Sequence, residues 1–348
     1  MAKLTLSNPM IPLDSIVLVT GANGLIASWV VEKFLDAGYR VRGTVRSISR
    51  CSWMEPFFAE RHGPGRFEIV ELSDYGASGA WDSVIKGVAS IAAVAGQAGL
   101  DLENAHVGVE QEFPFVAGLL KAAKDEPSVK SVVYTSSAWA AWTPDPTEKV
   151  MLDEWTYNEH AIHLERSALS KKEKGILPYM AFKALLEQRI WDWVRREKPS
   201  YTFNTILPES CFGGVLSPEN QGIPSTCGMA KMLRDGVNLE LVASVRPQRF
   251  IDSQDLGLLY VAALTTPGVN GHRLFAFGDK FSFSKIGQIL KELEPEKKMP
   301  TIEEDGWDQT EVPNQLAESL VRSLNGRGWA KLEDSIADLL KSIKKLED

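Results

Sequence analysis

Cysteine is scarce in this chain of 348 residues, at Cys51, Cys211 and Cys227 alone. An odd, widely spaced set supports neither a disulfide framework nor a cysteine-ligated metal, and it suits a reducing compartment. Histidine is nearly as rare. The close pair His160 and His163 has no cysteine nearby and reads as a solvated loop, so no metal site is expected. Positive charge is not in excess: the formal net charge is -8, which argues against a nucleic-acid surface. No apolar run reaches the length of a membrane span, no basic-then-apolar leader opens the chain, and no repeat or low-complexity tract interrupts it. The expectation is a cytoplasmic protein with no membrane or nucleic-acid partner, long enough for one large α/β domain or two modest ones.

What is present begins with a strand signal. Ser15–Thr20 is a short apolar run rich in β-branched residues, and Gly21-Ala22-Asn23-Gly24-Leu25-Ile26-Ala27 follows it. Trp29, Val30, Val31, Phe34 and Leu35 then recur at helical spacing up to Gly38. Strand, glycine turn and helix form the context that a dinucleotide fingerprint requires. Gly21 allows the tight turn, Gly24 lets backbone approach a pyrophosphate, and Ala27 lets the helix pack close to the strand. Gly21, Asn23, Gly24, Leu25 and Ile26 are therefore candidate cofactor contacts, with the helix N-terminus offering amides to phosphate.

The next strand is expected within residues 39–46, and its end carries no acidic residue to hold ribose hydroxyls. Arg42 and Arg46 stand there instead. Guanidinium groups suit a 2′-phosphate, which favours NADP(H) over NAD(H). Residues 67–72 read as a third strand ending near Asp74 and Tyr75; a carboxylate there accepts from an adenine amine or caps the next helix. Residues 88–94 read as a fourth strand, with Val94 and Ala95 at its end as further cofactor candidates. Residues 130–137 read as a fifth, with a helical stretch, Glu110 to Lys124, between them. Strands alternating with helices predict a doubly wound parallel sheet.

Tyr179 and Lys183 lie four residues apart, about one helical turn, so they share a face. A cation beside a phenol favours the phenolate and makes the phenol a usable proton donor. Ser136 and Ser137 end the fifth strand, where ligands of such sheets bind, and a serine hydroxyl there can donate to a carbonyl oxygen. Reduction of C=O needs a hydride donor, a proton donor and a polariser, and the glycine turn, Tyr179 with Lys183, and a serine supply the places for all three.

These motifs resemble those of extended short-chain dehydrogenases/reductases, and within them the dihydroflavonol 4-reductase group, especially fungal NADPH-dependent carbonyl and aldehyde reductases. The resemblance rests on residues 19–24, 38–44, 135–137, 152–154, Tyr179 to Lys183, Leu207-Pro208 and Leu324–Trp329, and so spans nearly the whole chain. It implies a Rossmann sheet with a smaller C-terminal substrate-binding region. Residues 1–184 would be mainly the NADP-binding part with the catalytic residues, and residues 185–348 the remaining sheet elements and the substrate region of a single integrated unit. It implies Ser137 as the catalytic serine, Tyr179 as proton donor, and Lys183 easing its ionisation and holding the ribose. Asp74 and Tyr75 would lie by the adenine, and Pro208 to Cys211 by the nicotinamide. The partner is a small-molecule carbonyl substrate, and the assembly a monomer or homodimer. Alternatives are a pathway-specific relative with an epimerase or other non-redox reaction, and a non-catalytic NADP-sensing protein.

Three departures from that group stand out. Gly118 occupies the usual asparagine position, Ala93-Val94-Ala95-Gly96 replaces His-x-Ala-Ser, and Glu209 follows Pro208 where a neutral residue is usual. A buried unpaired carboxylate is costly, so Glu209 is expected to have a partner or to face outward.

In the C-terminal half, Leu185, Leu186, Ile190, Trp191 and Val194 continue the Tyr179 helix as core, and residues 202–207 read as a sixth strand. The irregular stretch 213–249 is expected to cover the substrate. Phe212, Met229, Met232 and Leu233 are candidates to line it, as are Trp139 and Trp142, which leave the catalytic strand end and would form an aromatic wall. Asp255 is expected to cap the helix Leu256 to Leu264, and residues 292–308 to form a solvated linker.

Overall fold

Three successive branched residues in the run after Ser15 must be covered on both faces, and they are: β1 (Ile16–Val19) sends Val17 and Val19 into one core and Leu18 into another, each fully buried. The computed structural model describes residues 4, 6–77, 79–96, 99, 102–167, 169–303 and 306–347. Along the chain follow β2 (Arg40–Val45), β3 (Phe67–Glu71), β4 (Val88–Ala93), β5 (Ser131–Thr135), β6 (Thr202–Pro208), β7 (Ser210–Phe212), β8 (Gln248–Asp252), β9 (Arg273–Ala276) and β10 (Lys280–Phe281). The main sheet has seven strands in the order β3-β2-β1-β4-β5-β6-β9, every pair parallel. The order reverses at β1 and β4, the switch point where such sheets bind ligands. A smaller sheet, β10-β8-β7, stands beside it.

The six expected strands are all present, and β9 adds a seventh from the C-terminal half. Helices cover both faces. The helix α1 (Leu25–Asp36) starts straight after the glycine turn. The helix α2 (Ala105–Asp125) begins earlier than the expected Glu110, because the Asn104 side chain accepts from the amide of Val107 at 3.1 Å and caps it. The helix α3 (Leu177–Glu197) carries Tyr179 and Lys183. The helix α4 (Ser253–Thr265) is buried along its length and packs against α1. Among the described residues, no helix is long and apolar enough to cross a membrane.

Three expectations are corrected here. The cap of α4 is Asp252, which accepts from the amides of Gln254 (2.8 Å) and Asp255 (3.4 Å). Asp255 sits inside the first turn, buried, where it pairs with Arg327 (2.9 Å) and accepts from the amide of Ala330 (2.5 Å), so it anchors the C-terminal segment. The stretch 213–249 is not irregular: it holds helices Pro218–Gln221, Ser225–Asp235 and Leu239–Ala243, and Leu233 is wholly buried in the core. The stretch 292–308 is not wholly solvated, because Asp308 is buried and Met299 and Ile302 pack on the core.

One buried ion pair ties these layers together. Arg273 of β9 donates through Nε and Nη2 to the two oxygens of Glu187 on α3, both at 2.9 Å, with neither side chain exposed. Glu187 also accepts from Ser136 (2.8 Å) at the end of β5 and from Thr205 (2.7 Å) on β6. The other arm of Arg273 reaches the carbonyls of Glu154 (2.8 Å) and Thr156 (2.7 Å). Burial alone would push the Glu187 carboxyl up, but the charge and hydrogen bonds of Arg273, with those of Thr205 and Ser136, hold it below the usual range. Removing one partner strands the other charge. Arg273→Met is expected to cost about 3–5 kcal/mol in urea unfolding, and Arg273→Met with Glu187→Leu together less than the sum of the single changes.

Candidate active site

The glycine turn has the form that the sequence predicts. Gly21 adopts φ +66°, a conformation that side chains disfavour, and a Cβ there would lie 3.1 Å from that of Ala95. Thr20, just before it, accepts from the amides of Val94 and Ala95, both at 2.9 Å, which joins the ends of β1 and β4. Gly24 begins α1 with no side-chain cap, and the first turn holds no acid. Asn23 and Gly24 are exposed, Leu25 is buried and Ile26 is half-buried. The positive end of the helix thus has no counter-charge in its own first turn, which fits a phosphate.

The two arginines part company. Arg42 faces Glu68 across the β2–β3 ladder, pairs with it at 2.5 Å, and donates to the carbonyls of Val84 (2.7 Å) and Lys86 (3.0 Å). Its guanidinium is consumed in holding the sheet edge, so the cofactor expectation for Arg42 does not survive. Arg46, beyond the strand end, is exposed and has no ion pair among the described residues. Asp74 is exposed and turns its carboxylate to the amide of Gly76 (2.9 Å). The Tyr75 ring is buried against Trp81 and Phe115, at centroid distances of 5.7 and 5.0 Å, which leaves its backbone rather than its ring for any ligand.

At the end of β5 the two serines also differ. Ser136 is spent on Glu187. Ser137 is half-buried and its Oγ accepts from the amide of Trp139 at 3.2 Å, so its own proton is free to donate. The Trp139 ring meets the Tyr179 ring edge-on, with centroids 6.1 Å apart. Lys183 Nζ lies 5.8 Å from the centroid of the Tyr179 ring, and both side chains are half-buried. Ser137, Trp139, Tyr179 and Lys183 therefore come together outside the ends of β5 and β6. Among the described residues, Lys183 forms no ion pair, and its Nζ also lies 5.8 Å from the Phe182 ring centroid.

Two of the aromatic candidates fall elsewhere. Trp142 is 4% exposed, packs on Phe277 at 5.5 Å and donates to Thr310 Oγ1 at 3.0 Å. Phe212 is fully buried among Phe250, Phe281 and Phe283. Both are core, and their expected substrate contacts are withdrawn. Trp139 alone of the three stands at the site, held by its Nε1 donating to Gln248 at 3.1 Å. Pro208 ends β6 beside Ser136, whose amide donates to Ile206 at 2.8 Å. Cys211 is buried, its carbonyl accepts from Thr226 at 2.5 Å, and burial pushes its thiol well up. Glu209 is buried and has a partner on one oxygen, Oε2 accepting from the amide of Ser210 at 2.5 Å, while Oε1 has no hydrogen bond among the described residues.

Residues 17–272 match the model of the NAD dependent epimerase/dehydratase family. The chain belongs to this family. Among curated members it is 34% identical to aldehyde reductase 2 of Sporidiobolus salmonicolor over 345 residues, covering 98% of this chain and 99% of that protein. It is 36% identical to ketoreductase adrE of Penicillium rubens over 338 residues, covering 94% and 96%. Among solved structures, yeast methylglyoxal/isovaleraldehyde reductase Gre2, complexed with NADPH, superposes with a TM-score of 0.77 at 20% identity, covering 95% of this chain and 99% of that one.

This epimerase/dehydratase-family chain also has site-side residues that the sequence pattern did not reveal. Gln221, from the short helix Pro218–Gln221, donates to the carbonyl of Asn23 (3.0 Å) and to Ser28 Oγ (3.0 Å), while Trp29 donates to the carbonyl of Gly214 (2.7 Å). These bonds clasp the segment after β7 over the glycine turn. Nothing local marks Gln221, because its partners lie almost 200 positions away. Elsewhere, Glu32, Asp36 and His62 bring potential ligand atoms within 4.8 Å of one another, but Glu32 is already bound by Arg61 (3.0 Å) and His62 (2.9 Å). At the turn, Gly21→Ala is expected to cost about 1–2 kcal/mol in unfolding experiments from the positive φ alone. It is also expected to weaken dinucleotide binding measured by fluorescence titration, through the push against Ala95.

Proposed function

We propose that the protein is an NADPH-dependent reductase that delivers a hydride to the carbonyl carbon of an aldehyde or ketone, with Tyr179 giving the proton to the oxygen. The observation that carries this reading is the gathering of Ser137, Tyr179 and Lys183 outside adjacent strand ends of a sheet whose glycine turn and uncapped α1 suit a pyrophosphate. The names of the aldehyde reductase and ketoreductase relatives support it, as does the NADPH held by Gre2.

NADPH, when bound, supplies the hydride. The chain supplies the rest. Ser137, whose oxygen already accepts from the Trp139 amide, donates a hydrogen bond to the carbonyl oxygen and stabilises the charge that grows there. Tyr179 protonates that oxygen. Lys183 stabilises the phenolate left behind and holds the ribose. Trp139 shields the phenol from water with the edge of its ring. Arg46, free at the end of β2, takes the 2′-phosphate, with no acid at that strand end to favour NAD(H). Gly21, Asn23, Gly24, Leu25 and Ile26 frame the pyrophosphate, Val94 and Ala95 flank it from β4, and the backbone of Asp74–Tyr75 and Pro208–Cys211 faces the two ends of the dinucleotide.

One observation favours a second reading, a non-redox reaction on a dedicated intermediate. At Gly118, where related reductases carry an asparagine of the proton relay, the Trp81 ring stands 3.6 Å from where a Cβ would be. An indole fills the place of a polar side chain. Tight NADPH binding with no carbonyl turnover would favour this reading.

The reductase reading is tested by NADPH absorbance loss with aldehydes, aryl ketones and β-ketoesters. Tyr179→Phe is expected to lower kcat by about a hundredfold or more while cofactor binding persists, and equal rates in the two proteins would overturn the assignment. Arg46→Ala is expected to weaken NADPH binding about tenfold or more, the loss of one charge-assisted hydrogen bond, and to leave NADH binding nearly unchanged in calorimetry.

A further inference from the structure

Arg46 lies beyond the end of β2, exposed and outside the ladder, where the reading above gives it the 2′-phosphate. The chain turns at once. Ile48–Arg50 form a single 3-10 turn, and Ser47 before it makes no side-chain cap. The far end of this turn is fixed. The amide of Cys51 donates to the carbonyl of Ile48 (2.9 Å), and that of Met54 to the carbonyl of Cys51 (3.0 Å), with Cys51 and Met54 both buried in the core. The near end, which carries Arg46, is held by a residue of another strand.

That residue is Glu71. It ends β3 in register with Val45, and the amide of Leu72 donates to the carbonyl of Val45 at 2.8 Å, so the ladder keeps Glu71 level with the end of β2. Its side chain is exposed, and its Oε2 accepts from the amide of Ile48 at 2.7 Å. A carboxylate that takes an amide at the start of a helical turn does the work of a cap, here from 23 positions away. The charge of Glu71 works the other way, since it repels a phosphate bound nearby. Solvent and salt screen that repulsion at an exposed group. The hydrogen bond is short and charge-assisted, and it is the larger effect.

We propose that Glu71 is a positioning residue for cofactor selectivity: by holding the Ile48 amide it fixes the turn 46–50 and presents Arg46 to the 2′-phosphate of NADPH. This rests on the reductase reading above and on the place it gives Arg46. A side chain on an ordered backbone loses less freedom when it binds. A dinucleotide without the 2′-phosphate makes no use of that order, so Glu71 separates NADPH from NADH without touching either.

The test is calorimetric titration with NADPH and with NADH. It uses the wild type, Glu71→Gln and Glu71→Ala, and the same two changes in an Arg46→Ala background, with thermal melting as the check of folding. Glutamine keeps an oxygen for the Ile48 amide and loses the charge; alanine loses both. Glu71→Gln is expected to bind NADPH within about threefold of the wild type. Glu71→Ala is expected to bind it about fivefold to tenfold more weakly than Glu71→Gln, the loss of one hydrogen bond, with NADH affinity unchanged in both. In the Arg46→Ala background the two Glu71 changes are expected to bind NADPH alike, because Glu71 acts through that side chain. Glu71→Val, which suits a strand end, replaces the alanine variant if that one does not fold. Equal NADPH affinities in Glu71→Gln and Glu71→Ala overturn the proposal, and so does a tightening in both, the mark of simple repulsion. An alanine effect that falls equally on NADH, or persists in full without Arg46, also overturns it. Each of these leaves the reductase reading standing. A wild type that binds neither dinucleotide overturns that reading and this proposal with it.

Discussion

The pairing of Glu187 with Arg273 is the constraint on which the site depends. Two unexposed charges 2.9 Å apart would be a poor source of stability by themselves, since desolvation takes back most of their attraction. Their value is geometric. Glu187 lies on the same helix as Tyr179 and Lys183, and its oxygens reach Ser136 just beyond β5 and Thr205 on β6. The serine that precedes Ser137 is therefore bolted to the helix that carries the phenol. Arg273 adds the edge strand β9 and the loop around Glu154–Thr156 to the same knot. A displacement of α3 against the sheet would have to break several bonds to charged groups at once, so Tyr179 and Ser137 keep their separation.

Around that knot the polar and aromatic residues divide their work by burial. Trp142 and Phe212 have the same chemistry as Trp139 but are enclosed by the core, and they shape the floor rather than the site. Trp139 keeps one ring edge on Tyr179 and its indole nitrogen on Gln248, which makes it a link between α3 and the smaller sheet. Behind Gln248, the neighbouring Arg249 lies 3.4 Å from the buried Asp308, so this polar group comes wholly from the C-terminal half of the chain.

What could be read from the sequence follows the range of the forces involved. The six strands, the glycine turn and α1 are encoded by runs and periods a few residues long, and all appear where expected. β9 escaped because four residues opening on an arginine look like a surface loop until Glu187 is known to face that arginine. Arg42 and Arg46 look alike in the chain, yet one lies inside the ladder opposite Glu68 and the other beyond it. Strand alternation, with Val41 and Gly43 buried around a half-buried Arg42, held that signal, but the register did not. Ser137, Tyr179 and Lys183 were legible as a set through motif resemblance. The core placement of Trp142, Phe212 and Tyr75 was not, since it depends on residues such as Thr310, Phe281 and Trp81 that are distant in sequence. Asp255 and Asp252 lie three positions apart, and either could serve as a cap until the C-terminal segment claims the former.

The Gln221 clasp has a mechanical meaning. A cover that only leaned on the cofactor site could open and close while the glycine turn stayed still. Here the segment after β7 is stitched to the turn at Asn23, at Ser28 and, through Trp29, at Gly214. Lifting the cover therefore pulls on the turn itself, and the segment and the turn behave as one mechanical part.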